Sequence, residues 1–87
     1  MTQIPDMPRL NRRFRMQWEE AQQAHVLLYP EGMVRLNQSA GEILKRCDGT
    51  MTVDDIVREL EQQFQASGLK PDVVDLLAHA LEKDWIR

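Results

Sequence analysis

The sequence predicts an α+β domain in which a three-stranded antiparallel sheet is followed by three helices. Before residue 37, apolar and polar side chains alternate, which is the period of a half-buried strand. After residue 37, apolar side chains recur every three or four residues, as they do on one face of a helix. The connections between the predicted strands are too short for the crossover that parallel pairing requires, so the sheet must be antiparallel.

The N-terminal part divides into an arm and a first strand. Residues 1–9 include two prolines and show no apolar period, so we expect a flexible arm, with residues 10–87 forming one domain. Polar side chains at odd positions from Arg13 to Glu19 alternate with apolar ones, which predicts the first strand. Residues 20–23 would then form the first turn. The apolar positions of this strand are Leu10, Phe14, Met16 and Trp18.

Residues 25–29 and 33–36 predict the second and third strands, with the tetrapeptide Tyr-Pro-Glu-Gly at positions 29–32 between them. Pro30 presets the backbone of the second turn position, and Gly32 can adopt a positive φ. The pattern therefore predicts a tight hairpin whose second strand is short.

The first helix follows residue 37 and ends before Gly49, because glycine is favoured just after the last turn of a helix. Two residues are candidates for its N-terminal cap. Ser39 with Glu42 three residues later has the form of a capping box, and Asn37 is the other candidate. The apolar stripe of this helix consists of Ala40, Ile43, Leu44 and Cys47.

The second helix opens at Thr52 and the third near Pro71, with Ser67 and Gly68 breaking the helical pattern between them. Proline suits the first turn of a helix, where its missing N–H costs nothing. Acidic residues follow Thr52 and favour a helix start there. The apolar stripes are Val53, Ile56, Val57, Leu60 and Phe64 in the second helix, and Val73, Leu76, Leu77, Ala80 and Leu81 in the third, with Trp85 and Ile86 at the tail.

Composition excludes several classes of protein. The net charge of −3 argues against general nucleic-acid binding, which depends on neutralising phosphates. The longest apolar run, residues 26–29, is far shorter than the roughly 20 residues of a membrane span. A single cysteine cannot form an intramolecular disulfide, so a reducing cytoplasm is the simplest setting.

The sequence contains no recognisable catalytic or metal-binding constellation. His25, Cys47 and His79 are isolated from one another, without a second ligand at metal-binding spacing. Cys47 continues an apolar stripe and is expected in the core, whereas His79 is expected at the surface. Ser39 is better explained as a helix cap than as a nucleophile. The sequence therefore predicts a protein that is not an enzyme and needs no cofactor or metal.

Four arginines, Arg12, Arg13, Arg15 and Arg35, lie on predicted strands. One interpretation is a charged outer face of the sheet that discourages edge aggregation. The other is a basic patch for an acidic segment of a partner. The sequence leaves both interpretations open.

The segment YPEGMVRLNQSAGEIL at positions 29–44 resembles the PqqD family, as do CDGT at 47–50 and TVDDI at 52–56. The resemblance extends over residues 10–86, and LNQSA with CDG is its most specific part. It implies a winged-helix-like domain that recognises ribosomally made, modified peptides without catalysing a reaction. In that family the domain binds the precursor peptide PqqA and presents it to the radical S-adenosylmethionine enzyme PqqE, which cross-links a glutamate and a tyrosine of the peptide.

The predicted peptide site is an edge of the sheet. An extended peptide can add a strand to such an edge, with main-chain hydrogen bonds giving affinity and pockets giving selectivity. In the family fold the third helix runs beside that edge and would supply the apolar wall. We expect Arg35 to pair with a carboxylate of the peptide and Leu36 to form the floor of the groove. The predicted site residues are Met33, Val34, Arg35 and Leu36 of the third strand and Val73, Val74 and Leu77 of the third helix.

Two alternatives to a peptide chaperone remain. A DNA-binding winged helix would require a basic recognition helix. The second helix instead carries Asp54, Asp55, Glu59 and Glu61 against Arg58 alone. A structural oligomerisation subunit is the other alternative, because exposed strand edges permit either a monomer or a weak homodimer.

Overall fold

A computed structural model describes residues 3–87 and contains a three-stranded antiparallel sheet in the order β1-β2-β3, followed by three helices. The predicted fold class is confirmed. The elements are β1 (Arg15–Glu19), β2 (Ala24–Tyr29), β3 (Gly32–Arg35), α1 (Gln38–Leu44), α2 (Val53–Gln63) and α3 (Lys70–Glu82). Among residues 3–87, no helix has the length and apolar composition needed to cross a membrane.

The two faces of the sheet meet different surroundings. Met16, Leu27 and Val34 are register partners across the three strands and face the helices, with Leu27 fully buried. The opposite face carries exposed residues such as Arg15 and Arg35. The period-two pattern of the sequence therefore corresponds to a sheet that is covered by helices on one face.

Helix α1 packs closely on β2 because residue 41 has no side chain. A Cβ atom at Gly41 would lie 2.9 Å from Nδ1 of His25, which is closer than real contacts allow. At the start of α1 the cap is Asn37, whose Oδ1 accepts a 2.8 Å hydrogen bond from the Ala40 N–H. The alternative box of Ser39 with Glu42 is not formed, because Asn37 already supplies the acceptor and the Glu42 carboxylate binds basic side chains one turn later.

Helices α2 and α3 begin close to where the sequence predicts. Thr52 and Asp55 form a capping box, in which each side chain accepts from the backbone N–H of the other. Pro71 lies in the first turn of α3, one residue after its start at Lys70. The two helices pack together and on α1 around one core, whose buried members are Leu27, Leu36, Ala40, Ile43, Leu44, Cys47, Ile56, Val57, Leu60, Val73, Leu77, Ala80 and Ile86.

A buried arginine ties α1 to α2. The Arg46 side chain is only 7% exposed, yet its guanidinium donates to Oε1 of Glu59 at 2.8 Å and to the main-chain oxygen and Oε1 of Glu42 at 2.8 and 2.9 Å. It also donates to Oε1 of Gln63. A charge at this depth is tolerated because its donors are satisfied and opposite charge is adjacent. The Arg46 hydrogen bond holds the pKa of the Glu42 carboxyl below its usual value.

The chain ends differ from the prediction. Pro8 is fully buried and Arg9 exchanges hydrogen bonds with Arg87, so these two residues belong to the packed domain and not to a flexible arm. The Leu10 N–H donates to the Cys47 carbonyl at 3.2 Å, and Leu10 also pairs with Ile86. Isolated bridges of this kind produce no periodic pattern of apolar residues. No sequence signal therefore marks residues 8 and 9 as part of the packed domain. The first strand consequently begins at residue 15 and not at residue 10. Residues 1 and 2 of the predicted arm lie outside the described range.

Candidate functional site

The edge formed by β3 has two residues whose backbone groups point away from the sheet. The Leu36 N–H donates to the His25 carbonyl at 2.9 Å, which makes residues 36 and 25 a hydrogen-bonded pair. In an antiparallel ladder hydrogen-bonded pairs alternate with non-hydrogen-bonded ones. The register pairs Val34 with Leu27 and Arg35 with Val26. Val34 therefore bonds to β2, whereas the N–H and C=O groups of Met33 and Arg35 are directed outwards.

The side chains along this edge provide two kinds of contact. Met33, which is 46% exposed, and Arg35 lie on the outer face of the sheet. Val34 lies on the helix side, half-buried against the core, and Leu36 follows it at 3% exposure. Side chains of an added strand would alternate between the two faces of the sheet. On the outer face they would lie next to Met33 and Arg35, and on the helix side next to the aliphatic side chains of Val34 and Leu36.

The predicted residues of the third helix lie elsewhere. Val73 and Leu77 are 1% and 0% exposed and belong to the same core cluster as Leu36, while Val74 is half-buried. Within the described residues, no Cα atom of α3 lies within 8 Å of a Cα atom of β3. The structure thus brings Leu36, Val73 and Leu77 together as core residues and leaves them covered. An apolar stripe looks the same in sequence whether it faces a core or a groove, so sequence alone could not separate the two roles.

An apolar cavity of about 280 Å³ opens where α1 meets the end of α2 and the start of α3. Ile43, Leu60, Phe64, Leu69 and Val73 supply its apolar lining. Phe64 follows the last turn of α2 and is 44% exposed, although the sequence places it on the buried stripe. The cavity forms only because the ends of three helices meet. Their meeting cannot be predicted from any local pattern in the sequence.

Charge along the edge is incompletely balanced. Arg13 pairs with Glu31 across the exposed surface at 3.4 Å. In the part of the chain that the structure describes, Arg12, Arg15 and Arg35 form no ion pair. Arg35 therefore offers an uncompensated guanidinium next to the outward-directed backbone of β3, where an acidic side chain of an added strand could reach it.

Reactive groups are absent from this edge. Cys47 is buried, its thiol donates to the Ile43 carbonyl at 3.4 Å, and burial raises its pKa to about 12. A thiol of that kind is a poor nucleophile. His79 is exposed and packs edge-on against the Trp85 ring. Within residues 3–87, the His, Cys, Asp and Glu side chains form no group of three that could hold a metal ion.

A family model described as coenzyme PQQ synthesis protein D (PqqD) matches residues 24–86, from β2 to the end of the core. The chain belongs to the PqqD family. The match includes β3, α1 and α3, so every predicted site residue lies inside it.

Relatives from several bacteria agree with this assignment. The chain is 55% identical over 73 residues to a "PqqA binding protein" of Methylococcus capsulatus, covering 84% of this chain and 78% of that protein. It is 49% identical over 86 residues to a "PqqA binding protein" of Azotobacter vinelandii, covering 98% of this chain and 94% of that protein.

A solved structure supports the fold independently. The chain superposes with a TM-score of 0.82 on the solution structure of the PqqD truncation of Methylobacterium extorquens PqqCD, described as a functional, stand-alone recognition element for ribosomally synthesized and post-translationally modified peptides. The two are 32% identical, and the match covers 99% of this chain and 96% of that one. The relatives are named for PqqA binding and the solved structure is described as a recognition element, which agrees with the prediction that the chain is not an enzyme.

Proposed function

We propose that this protein binds the PqqA precursor peptide of pyrroloquinoline quinone biosynthesis and presents it to the radical S-adenosylmethionine enzyme PqqE, as a non-catalytic chaperone in the cytoplasm. The names of its relatives support the first step, since they are called PqqA binding proteins. The observation that carries the proposal is the β3 edge, where Met33 and Arg35 direct their backbone groups outwards. An extended peptide gains affinity from such groups whatever its sequence.

Side chains would give the peptide its register. On the outer face, Met33 would contact an apolar residue of the bound strand, and Arg35 would pair with a carboxylate two residues along it. On the helix side, Val34 would contact the intervening residue. In this proposal α3 supports the site indirectly through Val73, Val74 and Leu77. Leu36 lies between these residues and the β3 edge. Val73 and Leu77 are buried and α3 does not adjoin β3, so in this proposal they support Leu36 from within the core and do not contact the peptide directly.

Neither alternative function gains support from a particular observation. The acidic residues Asp54 and Glu59 of α2 are exposed beside Arg58, which is unfavourable for a helix that must approach DNA phosphates.

A proline scan of both sheet edges tests the proposal. Arg35→Pro removes an outward-directed N–H without removing a ladder hydrogen bond, so the fold should survive and PqqA affinity should fall about tenfold. Met16→Pro is the matched control on the β1 edge and should leave PqqA affinity unchanged. Isothermal titration calorimetry measures both, with circular dichroism to verify folding. Unchanged binding by Arg35→Pro, or a loss confined to Met16→Pro, would place the peptide elsewhere.

Presentation to PqqE is tested separately. Cross-linking of PqqA by PqqE should require the wild-type protein and should fall with Arg35→Pro in proportion to the lost peptide affinity. Equal product yield with and without the protein would refute the chaperone role while leaving peptide binding intact.

A further inference from the structure

The second edge of the sheet, β1, also has outward-directed backbone groups. Because His25 uses its backbone groups to pair with the residue after β3, the neighbouring Val26 directs its own towards β1. Val26 is the register partner of Gln17, so Gln17 bonds to β2. Its neighbours Met16 and Trp18 therefore direct their N–H and C=O groups away from the sheet. Groups of this kind are a template for a further strand.

A cavity of about 580 Å³ opens beside these groups, on the helix side of β1. Met16 and Trp18 line it from the strand, and Leu10 and Leu44 supply further apolar lining. Residues directly opposite each other on neighbouring strands point their side chains to the same face of the sheet. A strand added to β1 would therefore place the side chains opposite Met16 and Trp18 over the cavity, and these two positions are separated by one residue.

The indole of Trp18 gives the cavity an aromatic wall. This side chain is 47% exposed, although its ring is held in place from two sides. Its Nε1 donates a 2.9 Å hydrogen bond to Glu20, and its ring packs edge-on against His25 with centroids 5.0 Å apart. An aromatic side chain of an added strand could pack on this fixed indole and remove its apolar surface from water.

The charged lining of the cavity has an excess of positive charge. It contains Arg9, Lys45 and Asp48, and Asp48 already accepts two hydrogen bonds within its own turn. Arg9 forms no ion pair among residues 3–87. Lys45 pairs at 3.3 Å with Glu42, but that carboxylate is shared with Arg46 at 2.9 Å. The lining is therefore complementary to a carboxylate.

We propose that the β1 edge binds an extended segment of a second protein, distinct from the peptide at β3, in which an aromatic residue and an acidic residue lie two positions apart. The aromatic side chain covers Trp18, and the carboxylate pairs with Arg9 or Lys45. A peptide bound at β3 would have to leave the sheet and cross about 19 Å, four strand spacings, to reach the same site. A separate protein meets no such constraint, and both edges can be occupied at once.

This site uses no residue of β3, so the inference holds or fails independently of the proposed function. A chemically simple probe for it is the blocked synthetic peptide Thr-Glu-Thr-Phe-Thr-Glu-Thr. Its phenylalanine and both glutamates share one face of a strand, whichever way the peptide runs. The alternating threonines favour an extended backbone.

Titration of the isotope-labelled full chain with this probe, followed by NMR, tests the site. The backbone amides of Met16 and Trp18 should shift saturably as their N–H groups gain acceptors. A peptide with alanine in place of phenylalanine, and one with lysine in place of both glutamates, should each bind at least about threefold more weakly. The protein has a net charge of −3, so unspecific attraction would favour the lysine peptide instead. Equal affinities for the three peptides, or no saturable shift of these amides at millimolar peptide, overturn the proposal.

Variants of the protein locate the bound probe. Met16→Pro removes an outward-directed N–H and should weaken binding of the probe about tenfold, whereas Arg35→Pro on the other edge should leave it unchanged. Arg9→Gln alters only an exposed side chain and should weaken binding about two- to fivefold. Arg12→Gln, outside the cavity, is its control. Circular dichroism verifies folding.

Competition separates this site from the one at β3. Excess PqqA should leave the Met16 and Trp18 shifts caused by the probe in place. Displacement of the probe by PqqA would assign the β1 edge to the precursor peptide and overturn the proposal, as would unchanged probe binding by both Arg9→Gln and a folded Met16→Pro.

Discussion

The two edges of the sheet have the same backbone chemistry but different side chains. Each presents two residues with outward-directed N–H and C=O groups, Met16 and Trp18 on β1 and Met33 and Arg35 on β3. If β3 paired with another β3 through these groups, Arg35 would lie opposite Met33 and its charge would stay unmatched. A strand edge therefore does not determine its own partner. The side chains beside it must do so, and in our proposal the uncompensated Arg35 selects a strand with an acidic side chain at the β3 edge.

The largest loss of stability should come from a substitution on the central strand, at the residue that lies between the two edge strands. Leu27 is fully buried and lies between Met16 of β1 and Val34 of β3. Leu27→Ala should lower the free energy of unfolding by about 2–5 kcal/mol, because a cavity would remain in the core. Urea denaturation measures this loss. Leu28→Ala, at a half-buried position of the same strand, is the control and should cost clearly less. Equal losses would mean that the two faces of the sheet are equally buried.

The contact between α1 and β2 should have the next largest effect. Gly41→Ala would place a methyl group 2.9 Å from Nδ1 of His25 and 3.3 Å from its Cβ. We expect a loss of about 1–3 kcal/mol in unfolding free energy, despite the higher helix propensity of alanine. Ser39→Ala, at an exposed position of the same helix, is the control. A Gly41→Ala protein as stable as wild type would show that α1 can move away from β2 without cost.

Part of the acid sensitivity should arise away from both edges, at the Glu42–Arg46 pair at the end of α1. The Arg46 hydrogen bond lowers the folded-state pKa of Glu42, so this carboxylate stabilises the fold above its unfolded pKa. That contribution is lost as the pH falls through the lowered pKa. Glu42→Gln should therefore flatten the decline in melting temperature between neutral and acid pH. Glu82→Gln, at the exposed end of α3, should leave that decline as in wild type. Superimposable profiles for wild type and Glu42→Gln would contradict this assignment.

The smallest effect should distinguish the two edges most directly. Arg35→Gln removes a charge beside the proposed peptide strand and should weaken PqqA binding by ~1 kcal/mol or less, at most about fivefold, because the pair is exposed. Arg15→Gln removes the corresponding charge near β1 and should leave PqqA binding unchanged. The difference should shrink as salt is added. Identical affinities for the two variants would mean that neither arginine contacts the peptide.

Local features could be predicted from the sequence, whereas features that need distant segments could not. The Tyr-Pro-Glu-Gly turn and the Thr52 cap depend on a few adjacent residues, and both are present. The β3 edge was also predictable, but the direction of the Arg35 amide was not, because it depends on which pairs of the ladder are hydrogen-bonded. The covered positions of Val73 and Leu77 depend on where α3 packs, which its own stripe does not specify.

The pairing of Leu10 with Ile86 has a consequence for how the protein is made. Asn11 and Arg87, which flank this pair and are also in contact, are separated by 76 positions in the chain. Ile86 is 2% exposed and belongs to the central cluster. Closing so long a loop delays the gain from the contacts that close it. During translation, the hairpin and α1 can form as they emerge from the ribosome, but the core stays incomplete until Ile86 has emerged as well. The nascent chain therefore keeps apolar surface accessible to chaperones until that point.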